Sequence, residues 1–316
     1  MFSHILSAGK SLPMDWTKIA EWTPAQGLLW IHLDYANEVS RRWLAEQSGL
    51  DPVVREALLA EETRPRWVVG ADSLLLILRG VNCNPGADPE DMVSIRIWLE
   101  GHRIISMRNR RSMAVDDINR KIHAGDGPTT TGEFLYMTAG RITDRISNVI
   151  SGIDDSVDEL EELVVEKESE ELRPKLANLR RQTISLRRYI SPQRDVLSQL
   201  LSQRLSWLTD LDRVRLREIA ERTARFVDDL DSARDRAAIT QEELNNHISE
   251  RMNKTMYVLS IVAAIFLPLG LITGLLGINV GGIPGTENHF AFAAVCLLLV
   301  LFGVVQYLLF KRMKWL

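Results

Sequence analysis

The residues best placed to do chemistry lie near the end of this 316-residue chain, in a stretch with no Asp, Glu, Lys or Arg from Thr255 to Thr286. Asn253, Met256, Ser260, Ala263, Leu267, Gly270 and Gly274 follow one another at alternating spacings of three and four. On a helix that spacing gathers small and polar groups along one face. Gly277, Ile278 and Asn279 stand at the end of the run. The face carries no carboxylate, imidazole or thiol that could strip water from a metal ion. Small and neutral polar groups along one face of an apolar helix suit the lining of a pore shared by several copies of the chain. The competing reading is mechanical, because Gly270-xxx-Gly274 also permits close helix packing.

Other chemistries fare poorly. Gly9-Lys10-Ser11 resembles the end of a phosphate-binding loop, but His4 stands where that loop needs glycine. The six histidines are scattered at 4, 32, 102, 123, 247 and 289, with no HExxH or CxxC, which argues against a zinc cage within one chain. Asp228-Asp229-Leu230-Asp231 lacks the glycine and terminal glutamate of a calcium loop. No hydrolytic triad assembles, so the chain does not read as an enzyme, and no permanently bound cofactor is implied. Net charge is −4, with no clustered basic face, which excludes nucleic acid as a partner. Cys83 and Cys296 are far apart and suggest no disulfide framework.

The elements that must position the polar face are of two kinds. Residues 256–279 and 290–310 are each apolar and long enough to cross a hydrocarbon core, which takes about 20 residues. They form a membrane hairpin contacting lipid. Arg251 and Lys254 precede it, Lys311, Arg312 and Lys314 come after it, and the connecting loop has no Lys or Arg. Positive residues mark the cytoplasmic side, so both termini are expected there, with Trp315 as an interfacial anchor. The start of the chain, Met1-Phe2-Ser3-His4, has no signal-peptide pattern.

Before the hairpin the chain reads as soluble. Short apolar runs predict strands at 28–33, 66–69, 73–78, 92–99 and 103–107, and helices at 40–46 and 52–61, the latter with Asp51 as N-cap and Pro52 at its first position. Gly125-Asp126-Gly127-Pro128 separates this mixed α/β region from a long helical region. A helix over 134–171 is acidic in its second half, and a helix over 175–208 is Arg-rich, with a kink or break expected at Pro192. Complementary charge suggests that these two pair antiparallel. From Leu211 no Pro or Gly intervenes until Pro268, so one helix of roughly 65 residues, on the order of 95 Å, runs into the first span. Its apolar stripe, including Leu216, Leu230 and Leu244, needs the preceding helix pair or further copies of the chain to cover it. The expected division is therefore 1–128, an α/β cytosolic domain; 129–252, a helical domain and stalk; and 253–316, the transmembrane hairpin.

Gly277-Ile278-Asn279 resembles the Gly-Met-Asn signature of the CorA superfamily of divalent-metal transporters, with Ile in place of Met. The longer run from Thr273 to Gly285, the terminal Lys314-Trp315-Leu316, and the segments Glu62-Thr63-Arg64-Pro65-Arg66 and Arg187 to Asp195 are closer to its ZntB branch, which transports zinc. The resemblance implies a funnel-shaped homopentamer: α/β cytosolic domains, long helical stalks, and two C-terminal transmembrane helices per chain. It further implies that Asn279 forms the outer ring meeting the ion, with Gly277 allowing the turn. The seven residues of the polar face would line the pore, with Met256 and Leu267 as hydrophobic constrictions. Glu287 and His289, repeated fivefold, would make an electronegative mouth that concentrates cations. In relatives, cytosolic carboxylates between subunits bind metal and hold the pore shut. Glu218, Asp228, Asp229, Asp231, Glu242 and Glu243 are the stalk residues available for that role.

The function that the resemblance implies is transport of Zn2+, with other divalent cations open to it, across a bacterial-type inner membrane, proton-coupled by the same resemblance. The alternative is a CorA-like magnesium/cobalt channel. The spans contain no acidic or histidine relay, so a proton partner would travel as water or outside the bilayer.

Overall fold

The computed structural model describes residues 2–7, 10–61, 64–166, 171–278, 285 and 288–312. They fall into two compact units, Met1–Glu242 and Glu243–Leu316. The first is built on a seven-stranded sheet: β1 (Phe2–Ser7), β2 (Lys10–Pro13), β3 (Leu28–Asp34), β4 (Arg66–Val69), β5 (Leu74–Gly80), β6 (Val93–Leu99) and β7 (Arg103–Arg108). The order is β2-β1-β3-β7-β6-β5-β4, with β3 and β7 parallel and every other neighbouring pair antiparallel.

β3, β5 and β6 are buried almost without interruption because helices cover both faces; β3 and β5 accordingly run nearly apolar, whereas β6 alternates and buries its Ser94 and Arg96 as well. On one face α1 (Trp16–Ala20), α2 (Glu38–Glu46) and α3 (Pro52–Leu59) close over Leu29, Ile31, Leu33, Leu75, Ile105 and Met107, with Trp43, Leu44 and Leu58 contributed by the helices. The expected cap of α3 forms, Asp51 Oδ1 accepting from Val53 N with Pro52 at the first position, and α2 starts two residues earlier than expected because Asn37 Oδ1 caps it by accepting from Val39 N. On the other face lie α4 (Met113–Ala124), α5 (Thr131–Glu166) and α6 (Leu172–Leu200). There Trp30 meets the α5 residue Phe134 edge-on, centroids 5.0 Å apart. Gly125 ends α4 with φ 88°, a left-handed cap that a side chain would strain.

The Arg-rich helix stops at Leu200, earlier than expected, and passes through Pro192 without a break. Asp72, in the β4–β5 turn, holds the next loop: its carboxylate accepts from Ser206 N at 2.8 Å and from Ser206 Oγ at 2.5 Å, and its carbonyl accepts from Trp207 Nε1. A helix continued through that loop could not make those bonds. α7 (Asp210–Leu276) then runs for 67 residues.

The charge complementarity works differently from the expectation. α5 and α6 do pack together, but the described ion pairs that join these long helices run to α7. Asp144 of α5 binds Arg222, and Asp158 and Glu161 bind Arg236. From α6, Arg187 approaches Asp231 at 2.6 Å and Arg180 donates to Gln241. The apolar stripe of α7 within the first unit is covered in the same way: Leu216, Ile219, Val227, Leu230, Ala233 and Ala237 are buried within the single chain. In the second unit Met252 is 60% exposed. The second unit comprises the remainder of α7 and α8 (Ala291–Arg312). Both helices contain windows long and apolar enough to cross a membrane.

Candidate functional site

Thr255 Oγ1 bonds Arg251 O, and Thr273 Oγ1 bonds Leu269 O at 3.0 Å and Gly270 O at 3.2 Å, so these hydroxyls are satisfied along their own helix. At the far end Gly277 N donates to Thr273 O at 2.9 Å and to Gly274 O at 3.2 Å, closing the last turn. Gly277 does this without a left-handed backbone, since the positive-φ glycines among the described residues are 27, 49, 86, 125 and 285. What a side chain would meet there is Thr273 O, 3.1 Å from an added Cβ.

Ile261, Ala264, Ile265, Pro268, Leu269 and Ile272 of α7 are half-buried, as are Ala291, Val295, Leu299, Phe302, Gln306 and Phe310 of α8. Both sets keep three-and-four spacings and mark the stripes on which the two helices of this unit cover each other. A hydrogen bond joins them: Gln306 Nε2 donates to Ala264 O at 3.2 Å. The seven candidate residues point elsewhere. At 100° per residue their face is centred about 140° around α7 from the stripe facing α8. Asn253, Ser260, Gly270 and Gly274 are exposed, Met256 and Leu267 are 62% and 72% exposed, and Ala263 is half-buried. An added Cβ at Gly270 or Gly274 would find nothing within 4 Å. These glycines therefore do not serve contact with α8, and their face is open to another copy or to an aqueous path. Ile278 is 50% exposed beyond the helix end, while Asn279 and Glu287 lie outside the described residues.

His289 is exposed on the turn before α8. Sequence reasoning missed its neighbour Asn288, whose N–H donates to Gly285 O at 3.0 Å and whose Oδ1 accepts from Phe290 N at 2.9 Å. An Asn just ahead of an apolar run is a readable cap signal. It also missed Gln306, an amide standing alone in an apolar span.

The stalk carboxylates are dispersed. Asp231 is engaged by Arg187, at a short distance but off the N–H direction, and by Arg234 at 3.4 Å. Glu218 lies 3.9 Å from Arg225, with both side chains exposed. Partial burial, then the charge of Asp228, raises the pKa of Asp229, and Glu242 and Glu243 are exposed. Among the described residues no three His, Cys, Asp or Glu side chains come together as a metal site. The segments around Arg64 and Arg188 do meet, at a cavity of about 490 Å³ that also presents Arg79, Asp91, Arg96 and Tyr189. Arg96 is wholly buried, which lowers its pKa, and its Nη1 donates to Leu58 O at the end of α3. Glu62 and Thr63, from the first of those segments, lie outside the described residues.

Known proteins resemble the chain along its whole length. The model of the CorA-like Mg2+ transporter protein family matches residues 25–312. The divalent cation transporter CmaX of Pseudomonas aeruginosa is 44% identical over 321 aligned positions, covering 100% of this chain and 96% of that protein. The zinc transport protein ZntB of Yersinia enterocolitica is 40% identical over 289 positions, covering 91% and 88% respectively. A solved structure of full-length CmaX has a TM-score of 0.87 at 41% identity, covering 100% of this chain and 98% of that one.

Proposed function

The chain belongs to the family of CorA-like Mg2+ transporter proteins, and from that membership we propose that it carries divalent cations across a membrane, zinc among them. The observation that carries this reading is the open face of α7, turned away from α8 and bearing the small and polar residues. In the proposed assembly five chains bring that face to a common axis in a bacterial-type inner membrane, with both termini on the cytoplasmic side. Asn279 forms the outer ring, Met256 and Leu267 narrow the path, and Glu287 and His289 raise the local cation concentration.

The absence of strong metal ligands on that face sets the chemistry. Zinc bound by imidazole or thiolate would be held tightly. A path of amide, hydroxyl and methylene groups engages the water shell instead, letting the ion leave as readily as it enters. Since no single chain gathers three metal-binding side chains among the described residues, regulation by stalk carboxylates such as Glu218, Asp228, Asp231 or Glu242 would require groups from two subunits. Proton coupling belongs to the proposal through the resemblance alone. No Asp, Glu or His falls within 255–286 or 290–310, so a proton would have to move through pore water or outside the hydrocarbon.

The test is metal flux into proteoliposomes containing the purified protein. Zinc entry that falls to background in Asn279→Ala supports the reading. If neither zinc nor magnesium enters, the reading fails. Magnesium entry without zinc entry favours the second reading, a magnesium/cobalt channel, which the family description itself supports. Repeating the measurement across an imposed pH gradient separates the passive route from the coupled one: a passive pore gives equal initial rates at equal zinc gradients.

A further inference from the structure

Pro268 stands inside α7. Proline has no N–H, so the carbonyl four residues earlier, that of Ala264, loses its helical donor, and the ring crowds it as well. In water a solvent molecule repairs such a gap. Within hydrocarbon a backbone carbonyl must find its partner in the protein. That partner is Gln306 of α8, whose Nε2 reaches Ala264 O at 3.2 Å. Gln306 is the one Asn or Gln between 290 and 310. It sits on the half-buried stripe facing α7, and its Oε1 is buried without a partner. The side chain thus gives up half of its hydrogen-bonding capacity to deliver its nitrogen to this carbonyl. A helix merely filling lipid would gain nothing from an amide at that depth.

We propose that Gln306 is a positioning residue for the ion path: its amide supplies the donor that Pro268 removes and ties the interrupted turn of the first span to the second. The turn spans Ala264 to Pro268 and holds Leu267, the proposed constriction, between its ends. A turn left without its donor would relax by unwinding or by drawing in water, and Leu267 would turn with it. The flux arm of the test rests on the transport reading; the stability arm does not.

Four whole proteins decide the matter: wild type, Gln306→Met, Pro268→Ala and the double variant. Methionine keeps the length and unbranched shape of glutamine and removes the donor. Pro268→Ala restores a backbone N–H, so the bond from Gln306 becomes redundant. In proteoliposomes with an internal zinc indicator, Gln306→Met is expected to lower maximal flux about threefold or more, the scale of one interhelical hydrogen bond. The half-saturating zinc concentration should not move, because Gln306 touches no ion. In the Pro268→Ala background the same substitution should alter neither quantity. Thermal midpoints in detergent should repeat the pattern, falling on Gln306→Met only where Pro268 is present. Equal effects of Gln306→Met in both backgrounds, or no effect where Pro268 is present, overturn the proposal. A midpoint pattern as expected with unaltered flux leaves a structural tie and overturns the positioning role. If wild type carries no cation, the transport reading falls, and the midpoints still decide whether Gln306 replaces the missing donor.

Discussion

At the centre of the sheet His32 stacks on Phe2 with ring centroids 4.8 Å apart, and its Nδ1 lies 2.8 Å from Ser106 Oγ, which also accepts from Trp30 Nε1. Its Nε2 is buried without a partner, so a second proton on the ring would be a buried charge with nothing to receive it. Burial, and then the charge of Arg108, lower its pKa to about 3 from 6.5. Below pH 6.5 the unfolded chain binds a proton that the folded chain refuses. Stability therefore falls with pH from 6.5 towards 3. The contribution is about 1.4 kcal/mol per pH unit for one such group. Thermal midpoints measured between pH 7 and pH 4.5 should drop less steeply in His32→Gln than in wild type, and parallel curves would refute the assignment. This histidine shows the limit of reading residues singly. In sequence it is one of six scattered histidines, and only the sheet register that sets Ser106 beside it reveals its state. Gln306 is the converse case. Its isolation in an apolar span is plain in sequence, but its meaning depends on which residue of the first span it faces.

Among the elements, α7 carries the most consequence, and its start is built by a reciprocal pair of bonds. Asp212 Oδ2 accepts from Thr209 N at 3.1 Å and from Thr209 Oγ1 at 2.7 Å, while Thr209 Oγ1 accepts from Asp212 N at 3.2 Å. This is a capping box with Asp in the Glu position. The first turn of α5 lies against it: a Cβ on Gly132 would fall 2.3 Å from Asp212 Oδ2 and 3.2 Å from Trp207 O. Gly132→Ala should therefore displace the cap and cost about 1–2 kcal/mol. Gly152→Ala, later in the same helix with nothing within 4 Å of its added Cβ, should gain up to about 1 kcal/mol from helix propensity. Chemical or thermal denaturation of the two variants checks both signs, and a stabilised Gly132→Ala would refute the close approach. β3 and β5 were legible because burial on both faces leaves continuous apolar runs, and β6 because its apolar and polar residues alternate. β1 and β2 were not, since FSHILS and KSLP are short and mix polar residues among the apolar ones, and α4 escaped, although its buried residues Ala114, Val115, Ile118 and Ile122 keep a helical spacing, because Gly125 reads in sequence as a break between regions. Charge runs identified α5 as acidic and α6 as basic. They could not say that a third helix takes both sets, because ion pairing depends on which helix lies between the others.

At the scale of the whole molecule, the membrane unit leaves a large apolar area uncovered. Met256, Leu259, Phe266, Leu267 and Leu271 of α7 are each more than 60% exposed, as are Leu297, Val300 and Leu301 of α8. Lipid can cover an apolar surface, but lipid gives no reason to align Asn253, Ser260, Gly270 and Gly274 on one face. Those residues were legible in sequence as a face. Whether the face meets water or another helix was not, because small residues serve either purpose, and the single chain settles only that it does not meet α8. Enlarging one glycine separates the two cases. In Gly274→Leu a bulky side chain enters whatever space the face borders. If the face packs closely against a second copy, the substitution forces helices apart, and the assembly measured by native mass spectrometry should lose subunits. If it borders an aqueous path, the assembly should persist while the path is plugged. The expected outcome is the second: unchanged assembly mass, with zinc flux in proteoliposomes reduced to that of empty vesicles. Dissociation into smaller species would instead assign Gly270 and Gly274 to helix packing and move the ion path to another face of α7.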